Sequence, residues 1–184
     1  MLRNNVQLQI DGSFFILLVL MLMLLPIQWV VAVFTSIMIH ECFHALMIYI
    51  LQGRIFAFRL GIQGIQMETD YLPPARELIA AIAGPLGSAS LIALAPWFPR
   101  TAICGFIHFV YNMIPLYPLD GGRIMKNGLK LILEERSERI FEASQRLIRI
   151  FAGIICIFIC WCWGVLPTMC GLLLFFRLRW KRTV

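Results

Sequence analysis

The longest apolar segment of the chain, residues 13–51, sets the strongest constraint on its fold. Its 39 positions contain a single residue that is charged at neutral pH, Glu41. As one helix the segment would be about 58 Å long, whereas the hydrocarbon core of a bilayer is about 30 Å thick. We therefore predict two membrane-spanning helices joined by a tight turn at Pro26. A cleaved signal peptide over residues 14–25 is disfavoured because the apolar run continues past any cleavage site.

Composition favours a membrane protein over a soluble domain. Hydrophobic residues make up 60% of the 184 positions and charged residues 14%, whereas soluble domains average about 45–50% apolar and about 25% charged residues. The pattern predicts one all-α polytopic membrane domain over residues 1–184, with a short membrane-associated β-hairpin at residues 53–70. We expect six spans, the last two of which could form one long tilted helix, at residues 13–25, 27–51, 77–97, 101–119, 150–163 and 166–176.

The basic residues give these spans an orientation, because Lys and Arg concentrate in cytoplasmic loops. With a cytoplasmic N-terminus, six spans place every Lys and Arg except Arg100 on the cytoplasmic side. We therefore predict a multi-pass protein of the cell membrane with both termini in the cytoplasm and the lipid bilayer as a partner. The net charge of +6 does not indicate nucleic-acid binding, because so apolar a chain has no soluble surface for a basic patch.

An HExxH motif, His40-Glu41-x-x-His44, lies within the second predicted span. Ionisable residues inside a span are costly and therefore indicate function. Positions i and i+4 of a helix share one face, so the two imidazoles can bind one metal ion, with Glu41 placed to act as the general base. A histidine pair that is merely hydrogen-bonded is disfavoured, because burying three polar groups without a metal would be costly.

A catalytic zinc site has three protein ligands and one open position, so a third ligand must lie elsewhere in the chain. Met47 and Ile50 stand where a metzincin would have glycine and histidine, which excludes that class. Asp120 is the preferred candidate, because Pro115 and Pro118 interrupt the fourth predicted helix and let a carboxylate turn inward. A helix-end cap is the alternative role for Asp120. The other acidic candidates are Glu68, Asp70 and Glu77.

Topology supports this choice. His40 and His44 lie about 16 and 10 Å from the cytoplasmic end of their predicted helix. The fourth predicted span runs towards the cytoplasm, so Asp120 falls in the same half of the membrane.

Three other features have simpler interpretations. The small residues at positions 83–88 predict close helix packing. His108, one helical turn before Asn112, could face the metal site but more often such a residue satisfies a neighbour. Three cysteines near the C-terminus are interpreted as apolar packing residues and not as metal ligands, because they form no CxxC pair. They are Cys156, Cys160 and Cys162.

The HExxH motif and the later sequence NxxPxxPLDGG, which begins at Asn112 and contains Asp120, together resemble the intramembrane zinc site-2 protease family. The likeness is greatest to its compact sporulation branch, the stage IV sporulation protein FB type, and covers residues 10–178. That branch carries a CBS domain after its spans. This sequence ends at Val184, so we expect the chain to lack that domain.

The resemblance implies a zinc metalloendopeptidase of a bacterial cell membrane that holds one Zn²⁺ ion by His40, His44 and Asp120. Glu41 would be catalytic, and Asn112 would position the substrate or donate a hydrogen bond to the developing oxyanion. The implied reaction is cleavage in or near a transmembrane segment of a membrane-protein or membrane-associated substrate. The cytoplasmic product would be released by regulated intramembrane proteolysis, as in sporulation, and membrane partners could regulate the enzyme.

Two other functions remain open at this point. A small metal-ion transporter or channel could use the same His/Asp cluster as a transit site, and it could lose Glu41 without losing its function. An inactive homologue is disfavoured because every catalytic position is filled. The hairpin segment could likewise hold an unwound substrate by strand addition or be an ordinary cytoplasmic hairpin.

Overall fold

The computed structural model describes residues 7–61 and 64–163, with the backbone alone for residues 159–163. It contains short 3₁₀ turns at Leu91–Leu94 and Glu134–Arg136. The mostly helical prediction with a small hairpin is confirmed. In chain order the helices and strands are β1 (Gln7–Ile10), α1 (Gly12–Leu24), α2 (Ile27–Ile50), β2 (Ile55–Gly61), β3 (Gly64–Thr69), α3 (Pro74–Ser90), α4 (Pro99–Asn112), α5 (Asp120–Leu133) and α6 (Ser137–Trp163).

The first apolar segment forms two helices separated at Pro26, as predicted. Pro26 lacks an N–H and disfavours helical geometry at the residue before it, and Leu25 is accordingly extended. Asp11 caps α1 by accepting a hydrogen bond from the Ser13 backbone N–H at 2.7 Å.

Two helical segments of the described chain are long and apolar enough to cross a membrane, Ile27–Ile50 and Pro74–Leu94. Helix α1 is apolar but shorter. Large apolar side chains are exposed over much of the surface, including Met23 at 81% on α1 and Leu147 at 69% on α6. So much exposed apolar surface is unusual for a soluble monomer and agrees with a membrane location. The predicted number of six spans stays a prediction.

Helix α3 is the centre of the packing, since it contacts α2, α4 and α5. Its buried face consists of small residues, and this is why the helices approach closely. A Cβ atom added to Gly84 would overlap the His44 imidazole, and one added to Gly87 would overlap the Phe43 ring. The predicted packing role of residues 83–88 is therefore observed.

The segment after α2 is the expected hairpin, in which β2 and β3 are antiparallel. The sequence reasoning missed a third strand: β1 pairs in parallel with β2, giving the order β1-β2-β3. An apolar cluster of Ile48, Leu72 and Ala80, joined by Met67 of β3, ties the hairpin to α2 and α3.

The region around Asp120 differs from the prediction of a fourth span over residues 101–119. Helix α4 ends at Asn112, because Pro115 and Pro118 cannot continue a helix. Asp120 instead occupies the first position of the next helix, α5. A Cβ atom at Gly121 would meet the carbonyl oxygens of Met113 and Ile114, so only glycine lets α5 begin so close to the preceding loop.

The predicted fifth span is part of a longer helix than expected. Residues 150–163 are the second half of α6, which begins at Ser137 and contains 27 residues. No proline lies within α6, so its charged first half and its apolar second half continue as one helix about 40 Å long. The charged residues between positions 123 and 136 lie on α5 and on the 3₁₀ turn at Glu134–Arg136. The predicted sixth span, residues 166–176, lies outside the described residues.

Candidate metal centre

Three side chains from α2 and α5 converge on one point in the buried interior. Asp120 Oδ2 lies 2.9 Å from His40 Nε2 and 2.9 Å from His44 Nε2, and the two Nε2 atoms are 3.2 Å apart. All three residues are at most 5% exposed. They are the one group of metal-ligating side chains found in the part of the chain that the structure describes.

The second ring nitrogen of each histidine is held by α3. His44 Nδ1–H donates to the backbone carbonyl of Ala80 at 2.8 Å, and His40 Nδ1 lies 2.9 Å from Ser88 Oγ. Partners of this kind fix the ring orientation and the tautomer of a metal-binding histidine. With Nδ1 carrying the proton, Nε2 of the ring presents its lone pair to the centre.

The donor set fits a divalent metal ion. Two imidazole nitrogens and a carboxylate oxygen facing one another at 2.9–3.2 Å are all electron-pair donors, so a proton or a cation is needed between them. In a tetrahedral zinc site with ligand bonds of about 2.0–2.1 Å, neighbouring ligand atoms lie about 3.3 Å apart. The three ligand atoms here are 2.9–3.2 Å apart, slightly closer than in such a site, and they likewise form a triangle with nearly equal sides.

The other oxygen of Asp120 is also engaged. Arg123 Nη1 donates to Asp120 Oδ1 at 3.3 Å. Two further nitrogens of Arg123, Nε and Nη2, donate to Glu77 Oε1 at 3.1 and 2.6 Å. Glu77, one of the acidic candidates for the third ligand, therefore supports the site through Arg123 and is not among the three converging residues.

His108 lies beside the site and also satisfies a neighbour, as its simpler interpretation predicts. Its ring stacks on that of His40, with 4.4 Å between centroids and an interplanar angle of 18°, and its Nδ1 lies 3.2 Å from Ser36 Oγ. The buried side chain of Asn112 donates to the His108 carbonyl oxygen at 3.1 Å. One N–H and the side-chain oxygen of Asn112 remain for other partners.

Glu41 lies at the edge of this cluster. It is half-buried, whereas His40 and His44 are buried, and it is close enough to His44, Asp120 and Arg123 to interact with them electrostatically. A half-buried carboxylate next to buried metal-ligating side chains is accessible to water.

The loop that delivers Asp120 is fixed by α6. The buried Gln145 accepts a hydrogen bond from the Tyr117 backbone N–H and donates one to the Pro115 carbonyl, both at 2.9 Å. Sequence reasoning missed Gln145, Ser88 and Arg123, because no local pattern marks a residue whose partner lies far away in the chain. Of their contacts, that of Arg123 with Asp120 joins residues three apart on α5.

The remaining candidates lie apart from the centre. Glu68 pairs with Arg59 across the hairpin at 2.6 Å, and Asp70 borders a cavity of about 260 Å³ whose wall also contains Glu77 and Arg123. The side chain of Cys156 is a free thiol, and those of Cys160 and Cys162 lie outside the described side chains.

Of three comparisons with known proteins, the one with solved structures finds a similar fold. No protein-family model matches this sequence, and no curated protein matches it. Among solved structures the chain is similar to a membrane-protease fold, that of the site-2 protease from Methanocaldococcus jannaschii. The two share 22% sequence identity over 96% of this chain and 91% of that chain, with a TM-score of 0.67. At this identity the likeness shows a shared fold.

Proposed function

We propose that the chain is an intramembrane zinc endopeptidase of the site-2 protease family. One observation carries the proposal: a helical HExxH pair and a carboxylate 76 residues further on place three ligand atoms within hydrogen-bond distance of one another. The shared fold with a site-2 protease supports it. His40, His44 and Asp120 would hold the Zn²⁺ ion, which when bound supplies Lewis-acid activation of water and of the scissile carbonyl.

Other side chains of the protein transfer the proton, stabilise the developing oxyanion and orient the metal ligands. Glu41 takes the proton of the attacking water and passes it to the leaving amine. The second N–H of Asn112 donates to the oxygen of the scissile carbonyl as negative charge develops there. Ser88 and the Ala80 carbonyl keep both imidazoles in one orientation during the reaction.

The substrate class follows from the surroundings of the site. Apolar helices surround a polar centre, so the peptide to be cleaved belongs to a membrane-protein or membrane-associated substrate, and it must unwind because a helix hides its peptide bonds. Strand β3 is the last strand of the described sheet, and its outer edge can hold the unwound peptide by strand addition. With the orientation predicted from the basic residues, the product leaves on the cytoplasmic side.

The decisive experiment compares Glu41→Gln with His44→Ala. Wild-type protein purified in detergent is expected to contain one zinc ion per chain and to cleave at least one of a set of co-expressed, tagged single-span membrane proteins. Glu41→Gln should keep the metal and lose cleavage by at least about 10²-fold, the usual size of a general-base contribution. His44→Ala should lose both.

Cysteine 42, the exposed neighbour of Glu41, provides the matched control, because Cys42→Ala should change neither metal content nor cleavage. Cleavage that survives in Glu41→Gln would contradict the protease and favour a metal-transit site built from the same ligands.

The strand-addition step has its own test. Proline at position 65 or 67 removes a backbone N–H from β3, so Ile65→Pro or Met67→Pro should slow cleavage while zinc content stays at the wild-type level. Ile65→Val keeps the N–H and should behave as wild type. Unchanged cleavage in both proline variants would show that β3 does not bind the substrate.

A further inference from the structure

We propose that Arg123 positions Asp120 so that only one of its two carboxylate oxygens is presented to the metal ion. The inference deepens the proposed function and rests on it, since it concerns how the same centre keeps an open coordination position. Hydrolysis needs that position, because a catalytic zinc site combines three protein ligand atoms with one site for water or substrate.

The two oxygens of Asp120 have separate partners. Oδ2 lies 2.9 Å from both histidine Nε2 atoms, whereas Oδ1 accepts a hydrogen bond from Arg123 Nη1 at 3.3 Å. A carboxylate whose oxygens are both unengaged can bind a metal ion through both and so occupy two positions. With Oδ1 held by Arg123, Asp120 contributes one ligand atom and the centre contributes three.

Arg123 can perform this role because it is itself held in place. Its Nε and Nη2 both donate to Glu77 Oε1 of α3, at 3.1 and 2.6 Å. A guanidinium is planar and its donors are in a fixed relation. Contacts through Nε and Nη2 therefore determine where Nη1 points, and Nη1 points at Asp120. Lysine has a single nitrogen and cannot make both sets of contacts with fixed geometry.

A simpler role for Arg123 would be to join α3 to α5 through the ion pair with Glu77. The two roles predict different results. Loss of a structural ion pair lowers the unfolding temperature and leaves the coordination of the metal unchanged. Loss of the positioning contact releases Oδ1 and raises the coordination number of the metal, whether or not the fold is weakened.

The test uses Co²⁺ in place of zinc in the full-length protein, because four-coordinate Co²⁺ absorbs visible light more strongly than Co²⁺ of higher coordination number. Arg123→Met and Arg123→Lys are compared with wild type by the Co²⁺ spectrum, metal affinity and unfolding temperature. Lys130→Met is the control, because Lys130 lies on the same helix and pairs at 3.1 Å with Glu138, away from the centre.

We expect the strong four-coordinate spectrum in wild type and in Lys130→Met. Both Arg123 variants should give the weaker spectrum of higher coordination and bind metal about 10–100-fold less tightly, the usual effect of removing a partner of a metal ligand. Arg123→Lys keeps the positive charge and can still pair with Glu77, so it should show the altered spectrum with little change in unfolding temperature.

A wild-type spectrum in both Arg123 variants would overturn the inference and leave the proposed protease intact. A spectrum that changes in Arg123→Met and is fully restored in Arg123→Lys would also overturn it, because charge alone would then suffice. If wild-type protein takes up no Co²⁺ and no zinc, both the inference and the proposed function are wrong.

Discussion

Helices α1 and α2 are consecutive and both strongly apolar, yet they are used in different ways. Helix α1 has no buried residue among its 13 positions. Helix α2 buries every fourth residue along one stripe, and this stripe consists of Ala32, Ser36, His40, His44 and Ile48. Residues four apart lie only about 40° apart around a helix, so the stripe is a continuous contact surface that winds slowly round α2, and its middle holds the polar side chains.

The difference comes from the partner helix and not from hydrophobicity. The small residues of α3 let its backbone approach α2 so closely that the Ala80 carbonyl reaches the His44 ring. No buried side-chain nitrogen or oxygen atom in the described chain lacks a hydrogen-bond partner. A polar stripe in an apolar helix is therefore stable where a second helix satisfies each polar atom, which is what the high cost of unsatisfied buried groups requires.

The largest effect on the metal centre is expected at Gly84 of α3, which lies against the His44 ring of α2. In Gly84→Ala the new Cβ atom would overlap the His44 imidazole, so the ring or the helix must move. We expect loss of about 1–3 kcal/mol of stability, typical of overpacking, together with loss of stoichiometric metal. Metal analysis and thermal unfolding of the purified protein measure both.

The same substitution at Gly128 is the control for Gly84→Ala. Gly128 lies within α5, and a Cβ atom there would meet nothing within 4 Å, so Gly128→Ala should retain the metal and gain up to about 1 kcal/mol from helix propensity. Normal metal content in Gly84→Ala would show that close approach of α3 is not what fixes His44.

A smaller effect is expected at Ser88, which supports His40. Ser88→Ala removes the oxygen 2.9 Å from His40 Nδ1, and it should weaken metal affinity by about 10–100-fold while leaving the three ligands in place. Ser90→Ala is the control. Ser90 also lies on α3, but its hydroxyl donates to the Gly87 carbonyl of the same helix at 2.6 Å. Competition with a metal chelator measures both affinities, and equal values for the two variants would contradict a role for Ser88.

Features of the site that are local in the sequence could be predicted more readily than contacts between residues far apart in the chain. The HExxH pair is local, because i and i+4 fall on one helix face whatever the rest of the chain does. Asp120 could be chosen because two prolines interrupt the predicted helix beside it and let a carboxylate turn inward, and the structure brings it to both histidines. The roles of Glu41 and Asn112 in catalysis stay predictions.

The supporting contacts could not be predicted in this way. Ser88, Arg123 and Gln145 are ordinary polar residues in the sequence. Each meets a partner that is distant in the chain, namely His40, Glu77 and Pro115 respectively, and tertiary packing alone brings these pairs together. Helix boundaries near the site were predicted poorly for a related reason. The prolines show that a helix must stop, but the start of α5 at Asp120 depends on Gly121 packing against the carbonyls of Met113 and Ile114.

The smallest effect is expected for a substitution on α1, the helix without buried residues. Met23 is 81% exposed, so Met23→Ala removes a side chain that contacts lipid or detergent and should change stability by no more than about 0.5 kcal/mol. Ile48 lies on the buried stripe of α2 at 2% exposure, and Ile48→Ala should cost about 2–5 kcal/mol through the cavity it leaves. Thermal unfolding in one detergent compares the two. If Met23→Ala were as destabilising as Ile48→Ala, α1 would be packed against protein that the described chain does not supply, and the difference between the two helices would not be one of burial.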